Sequence, residues 1–222
     1  WLETSSEWKI SGLEGSITPE EYLSETGMID VPNLLLAHCV WINTEISGFY
    51  ARDNVTFAHN PKSNLKLGSG IAPLSEYLKT GIRVALGTDG AASNNRLDIW
   101  DELRFAALTQ KGITKDPTLV TSAEALRIAT INGALGLGFK DVGLIKEGYR
   151  ADMILIDLDQ PHYVGWDCEN LPGFLVYAGS SSDVRGTVVA GKMLYKDNDF
   201  LIADRERIIS EAVEARRKLT GR

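Results

Sequence analysis

Three apolar runs in this 222-residue chain each end in a residue able to do chemistry. Asn33-Leu-Leu-Leu-Ala-His-Cys39 delivers His38, Asn54-Val-Thr-Phe-Ala-His-Asn60 delivers His59, and Arg83-Val-Ala-Leu-Gly-Thr-Asp89 delivers Asp89. A carboxylate left unpaired at the end of a buried strand is costly or is forced neutral. Asp89 therefore needs a metal ion, a cationic side chain or backbone amides. Taken singly, each residue has a plainer reading. Asp89 before Gly90 fits a helix N-cap or an Asx-turn. His38 fits a satisfied core histidine, and His59, ahead of Asn60-Pro61, fits a loop holder working through its ring nitrogens. His162 reads as a surface residue and Glu3 as a surface acid. The combination favours function, because the C-terminal edge of a parallel sheet is where barrel enzymes place catalytic groups.

The elements that must position these residues follow from periodicity. Strands are expected at Asn33–Ala37, Val55–Ala58 and Arg83–Leu86. Helices are expected at Pro19–Ser24, Thr44–Arg52, Ile71–Thr80 (stopped by Gly81) and Leu97–Lys111, with Ile99, Leu103 and Ala106 on one face of the last. Ser122 reads as the cap of a helix Ala123–Leu135. Asn60–Gly70 and Gly87–Arg96 read as loops. Strands alternating with helices imply a parallel sheet with helical crossovers, and near-continuous apolar strands imply a sheet covered on both faces. After Gly138 the pattern changes. A turn leads into a strand ending at Asp157, and Arg185–Ala190 and Met193–Tyr195 form a strand pair turning at Gly191-Lys192. With no helix expected among these strands, they read as a small β region. Asp204–Leu219 reads as a charged helix solvated on one face.

Composition narrows the classes. The chain is 44% hydrophobic and 24% charged with a net charge of −7, which fits a globular protein and argues against nucleic acid or anionic membrane as partner. Its two cysteines, Cys39 and Cys168, make no disulfide framework, so a reducing, cytoplasmic setting is expected. No apolar run is long enough to span a membrane. Gly68-Ser-Gly70 lacks the continuation of a phosphate loop, and Gly133–Gly143 lacks dinucleotide-binding spacing.

Three longer motifs point further. Ala37-His38-Cys39, His59-Asn-Pro-Lys-Ser-Asn-Leu-Lys-Leu-Gly-Ser-Gly70 and Gly87-Thr-Asp-Gly-Ala-Ala-Ser-Asn-Asn95 together resemble the amidohydrolase superfamily. More narrowly, they resemble its deaminases of S-adenosylhomocysteine and 5′-methylthioadenosine, a branch that also holds chlorohydrolases. The resemblance continues through Ser122–Gly138 and Glu147–Asp157 to Val188–Lys192. It implies an α/β fold: the C-terminal half of a (β/α)8 TIM barrel in residues 1–140, from the end of strand five through strand eight. The C-terminal strands of a small β-sandwich would follow in 141–200, and a C-terminal helix in 201–222. It also implies zinc-dependent deamination of an adenine nucleoside, with one Zn²⁺ per site and Fe²⁺ as an alternative. Asp89 matches the family's metal-ligating aspartate. Trp1-Leu2-Glu3-Thr4 matches the strand-five pattern His-x-x-Glu-Thr without its histidine, so a histidine is expected just before Trp1. Glu3 would carry protons to the purine ring and the leaving amine, and His38 and Asp89 would orient the attacking hydroxide. Ser93 would hydrogen-bond the purine, and His59, Asn60 and Asn64 would organise the surrounding loops. The expected partners are a purine nucleoside and the missing N-terminal half of the barrel; a homo-oligomer stays open. Other readings are a chlorohydrolase, another nucleobase deaminase, or a non-catalytic piece lacking the remaining metal ligands.

Overall fold

A computed structural model describes residues 17–221, so Glu3 and the rest of its motif lie outside the described residues. Strands β1 (Leu34–Ala37), β2 (Val55–His59) and β3 (Arg83–Leu86) form a parallel sheet in the order β1-β2-β3. Ala37 pairs with Ala58, and His59 with Leu86, so all three strands end at one edge. Helix α1 (Pro19–Glu25) precedes the sheet and starts on a reciprocal capping box between Thr18 and Glu21, which satisfies two otherwise unpaired backbone N–H groups.

The crossovers contain more helix than the periodicity indicates. Asn60–Gly70, read as a loop, holds helix α2 (Pro61–Leu67). Pro61 at its first position needs no N–H there, and Gly68 ends it in the left-handed conformation. The polar, Asn- and Lys-rich composition hid those two end signals. Helix α3 (Leu74–Thr80) follows and stops at left-handed Gly81 as expected. The loop after β3 likewise contains a short helix, α4 (Ala91–Asn94). In the other direction, Thr44–Tyr50 is a 3₁₀ segment and not an α-helix.

Helix α5 (Ile99–Thr114) buries Leu103 and Ala106 as the pattern requires, but Ile99 stays 41% exposed. The helix expected from 123 to 135 is two: α6 (Ser122–Ala129) and α7 (Ile131–Gly136), broken at Thr130, whose φ of −124° and ψ of −94° are not helical. Thr121, not Ser122, is the cap, because Thr121 and Glu124 form a second capping box. The break lets α7 turn onto the sheet, where Asn132 Nδ2 donates to Val84 O at 2.8 Å.

The largely aliphatic core under the sheet holds a row of three aromatic rings. Tyr50, Phe57 and Tyr77 stack edge to face with centroids 5.2 and 5.1 Å apart, an arrangement the ring quadrupoles favour. The sheet is not covered on both faces among the described residues, since Leu35 of β1 is 44% exposed. Strands β4 (Met153–Ile156), β5 (Val184–Val189), β6 (Lys192–Lys196) and β7 (Asp199–Phe200) form an antiparallel sheet in chain order. Contrary to expectation a helix, α8 (Leu171–Tyr177), interrupts that run between β4 and β5. It is too short to show a helical period and begins at a Leu-Pro step. Helix α9 (Arg205–Thr220) is capped by Asp204 and buries no residue among those described, so it is open all round where solvation of one face is expected.

Candidate active site

The site is assembled at the C-terminal edge of the parallel sheet. His38 follows β1 directly, and its N–H donates to Ala58 O at 2.8 Å, extending the ladder by one residue. The chain then turns sharply, with φ of +65° at His38 and +50° at Cys39. Side chains with a Cβ adopt that region at a cost of order 1 kcal/mol each, and such residues concentrate where function fixes the backbone. Asp89, at φ +58°, is the third such residue on this edge.

The His38 ring is held from the β2–β3 crossover. Its Nδ1 lies 2.7 Å from Asn64 Oδ1 and 3.4 Å from Asn60 Nδ2. A carbonyl oxygen can only accept, so the short contact places the ring proton on Nδ1 and leaves Nε2 as the basic nitrogen. Asn60 is fixed in turn by a bond from its Nδ2 to Ala58 O at 3.1 Å. Gly87 leaves room for it: a Cβ there would stand 2.4 Å from Asn60 Oδ1.

Asp89 is exposed, and three donors hold its carboxylate. Ser63 Oγ and Ser93 Oγ each reach Oδ2 at 2.6 Å, and Gly90 N reaches Oδ1 at 2.6 Å. The hydroxyls of Ser63 and Ser93, in that order, pull its pKa down to about 2, so the group is ionised throughout the neutral range. The plainer reading of Asp89 as a helix cap does not describe it, since Gly90 occupies the cap position of α4. Nor are its described partners a cation or a set of amides alone. Ser93, expected on a purine ring, donates to Asp89 here. Ser63 was not singled out from the sequence; its signal lay in the Pro61 start of α2, which fixes the side of the helix it occupies.

His59 behaves differently. It is 3% exposed, and neither ring nitrogen has a hydrogen-bond partner among the described residues. Its ring therefore holds no loop there, although its backbone oxygen accepts from Gly87 N at 3.0 Å. Burial, then the neighbouring His38, lowers its pKa to about 4 and keeps it neutral. His162 lies at the surface as expected, in the second region of the molecule, and is bonded to Asp183 through Nε2 at 3.1 Å.

Among the described residues no three His, Cys, Asp or Glu side chains group as a metal site. They supply one well-posed carboxylate, Asp89, and do not by themselves fit a zinc centre, which takes three or four protein ligands. No described helix is long and apolar enough to cross a membrane.

The amidohydrolase family profile matches residues 3–194. The 5-methylthioadenosine/S-adenosylhomocysteine deaminase of Dictyoglomus thermophilum is 45% identical over 196 residues, covering 88% of this chain and 45% of that protein. The 5′-deoxyadenosine deaminase of Methanosarcina mazei is 42% identical over 191 residues, covering 86% and 44%. Among solved structures, a zinc-bound adenosine deaminase from Xanthomonas campestris superposes with a TM-score of 0.83 at 30% identity, covering 91% of this chain and 46% of that one. The zinc complex of atrazine chlorohydrolase from Arthrobacter aurescens gives 0.80 at 33% identity, covering 89% and 44%. The chain thus spans about half the length of the proteins it matches.

Proposed function

The chain belongs to the amidohydrolase family, and from that premise we propose that the intact protein deaminates an adenine nucleoside by hydrolysis. Candidate substrates are S-adenosylhomocysteine, 5′-methylthioadenosine and adenosine; the products are the inosine form and ammonia. The observation that carries this reading is the placement on one sheet edge of an ionised carboxylate, Asp89, and an imidazole, His38, whose Nδ1 lies 2.7 Å from Asn64 Oδ1.

In this reading β1, β2 and β3 are the sixth to eighth strands of a barrel. Residues 1–140 supply its second half, 141–200 the C-terminal strands of a sandwich, and 201–222 a terminal helix. The remaining strands come from the rest of the intact polypeptide, consistent with relatives about twice as long. The protein would hold one zinc ion, or iron(II), with Asp89 its ligand from the described residues and the other ligands elsewhere. Two free thiols, one buried and one exposed, suit a reducing cytoplasm.

The reaction adds water to C6 of the purine and expels ammonia. Glu3 would give a proton to ring N1, which makes C6 electrophilic, and would then pass protons to the leaving amine. His38 Nε2 and the Asp89 carboxylate would accept hydrogen bonds from the attacking oxygen and aim it at C6. Ser93, beside Asp89, would turn its hydroxyl to the purine, and Asn60 and Asn64 would hold the His38 ring, with His59 joining through its backbone oxygen alone.

The test is ammonia release by the intact protein from each of the three nucleosides, with metal content measured alongside. Glu3→Gln should keep the metal and lose turnover by on the order of 10²–10⁴-fold. A Glu3→Gln variant with normal turnover would remove the proton-carrier role. Dechlorination of a triazine with no nucleoside deaminated would move the reading to the chlorohydrolase branch, which the likeness at TM-score 0.80 also supports.

A further inference from the structure

Helix α2 grips both candidate groups through successive residues: Ser63 Oγ donates to Asp89, and Asn64 Oδ1 accepts from His38. A helix of two turns does not hold its own place, because nucleation consumes most of what its few hydrogen bonds return. The anchor is on α5. Glu102 is fully buried, and its two oxygens go to two different pieces of the site. Oε2 accepts from Lys62 N, in the first turn of α2, at 3.1 Å. Oε1 accepts from Asn94 Nδ2 at 2.6 Å, and Asn94 Nδ2 also donates to Thr88 O at 2.6 Å, one residue before Asp89. Beside it, Asp101 pairs with Lys62 Nζ at 2.9 Å.

A buried carboxylate is a poor choice for stability alone, since burial penalises its charge and pushes its pKa up. What this one does is fix a distance. We infer that Glu102 is a positioning residue, which clamps the first turn of α2 to the loop carrying Asp89 so that Ser63 and Asn64 meet Asp89 and His38 together. The inference rests on the reading of His38 and Asp89 as working groups.

Glu102→Gln in the intact protein tests it. Gln keeps the volume but turns an amide N–H toward one of two donors, so one arm of the clamp is lost. The expected result is a fall in kcat of about 10–100-fold, the usual effect of losing an outer support, with KM changed less than about threefold. Ser63→Ala should lower kcat as well. The double variant should lose less than the product of the two, because Glu102 acts through α2. A wild-type kcat in Glu102→Gln, a change confined to KM, or losses that simply multiply would each overturn the inference. If Glu102→Gln does not fold, Asn94→Ser breaks the same clamp from its other side and is judged by the same three criteria. Asp89→Asn separates the two failures. If it stays active, the reading of the site falls. If it is inactive while Glu102→Gln is normal, only the clamp falls.

Discussion

Two aspartates in this molecule are held alike and placed in opposite surroundings. Asp89 takes two serine hydroxyls and one backbone N–H at the open edge of the parallel sheet. Asp183, just before β5, takes Tyr163 OH at 3.0 Å, His162 Nε2 at 3.1 Å and Ser180 N at 2.8 Å, and it is buried. Around Asp183 the bonds tie segments together: Ser181 Oγ reaches Asp98 at 2.7 Å, and Trp100 Nε1 reaches Leu175 O at 2.6 Å, fastening the 160–183 segment to α5. The same three-donor grip therefore serves two ends. Around the buried Asp183 carboxylate, it is a bolt that closes the 160–183 segment on itself. At the exposed edge, it holds an ionised carboxylate on the same side of the sheet as the His38 imidazole.

That contrast is broken most easily at its reactive end. In the intact protein Asp89→Asn should cut deamination by on the order of 10²–10⁴-fold and reduce bound metal, because a neutral amide is the poorer ligand and the poorer acceptor. Its melting temperature should barely move, since the group is exposed. Asp183→Ala should do the reverse. Three donors, of which the Tyr163 hydroxyl is buried, lose their acceptor, costing about 3 kcal/mol, while kcat per folded molecule stays unchanged. Parallel denaturant titrations and turnover measurements decide it. A large loss of kcat in Asp183→Ala, at full occupancy of the folded state, would show that the bolt also shapes the site.

The two regions were unequally legible in the sequence. Strands β1, β2 and β3 were readable because a short apolar run that stops abruptly at a polar residue is the pattern of a buried strand reaching the rim of its sheet. The edge that gathers His38 and Asp89 then follows from their parallel order. Helices α2 and α4 were hidden, since Asn-, Ser- and Lys-rich stretches read as loops and only Pro61 and Gly68 marked an end. With α2 went Ser63, although Asn64 was singled out. Glu102 was invisible for a different reason: an acid in the first turn of an amphipathic helix is ordinarily a solvated dipole partner. Only the tertiary fold turns it inward. The Asp183 cluster joins positions 163 and 183 through side chains, and no local pattern encodes such a pair.

A smaller effect separates the rim from the bolt by pH. His59 is buried as a neutral ring with its pKa lowered to about 4, whereas an unfolded chain protonates it near 6.5. Between those values the unfolded state binds more protons, so the contribution of His59 to stability is full above about 6.5 and is lost as pH falls toward about 4. The loss between pH 7 and pH 5 should be about 2 kcal/mol. His59→Gln should remove that part of the slope, and urea titrations of both proteins at the two pH values read it directly. An unchanged slope would mean that His59 does not titrate as a buried neutral ring.

The smallest effect compares single hydroxyls. Tyr163 OH and Ser63 Oγ each donate to a carboxylate, at 3.0 and 2.6 Å. Tyr163→Phe removes one donor from Asp183 and leaves His162 and Ser180 N in place, so the carboxylate keeps two partners and the ring still fills its buried space. The expected cost is about 1 kcal/mol, the usual net worth of one internal hydrogen bond. Turnover should be untouched, because nothing on the edge around His38 and Asp89 depends on that bond. Burial and the Asp183 charge both raise the Tyr163 pKa, so the phenol stays protonated and donating throughout the working range. The wild-type bond is therefore constant with pH, and the difference between the two proteins should be the same at pH 6 and pH 9. A difference that grows with pH would mean that Tyr163 ionises, and that its hydroxyl is open to water after all.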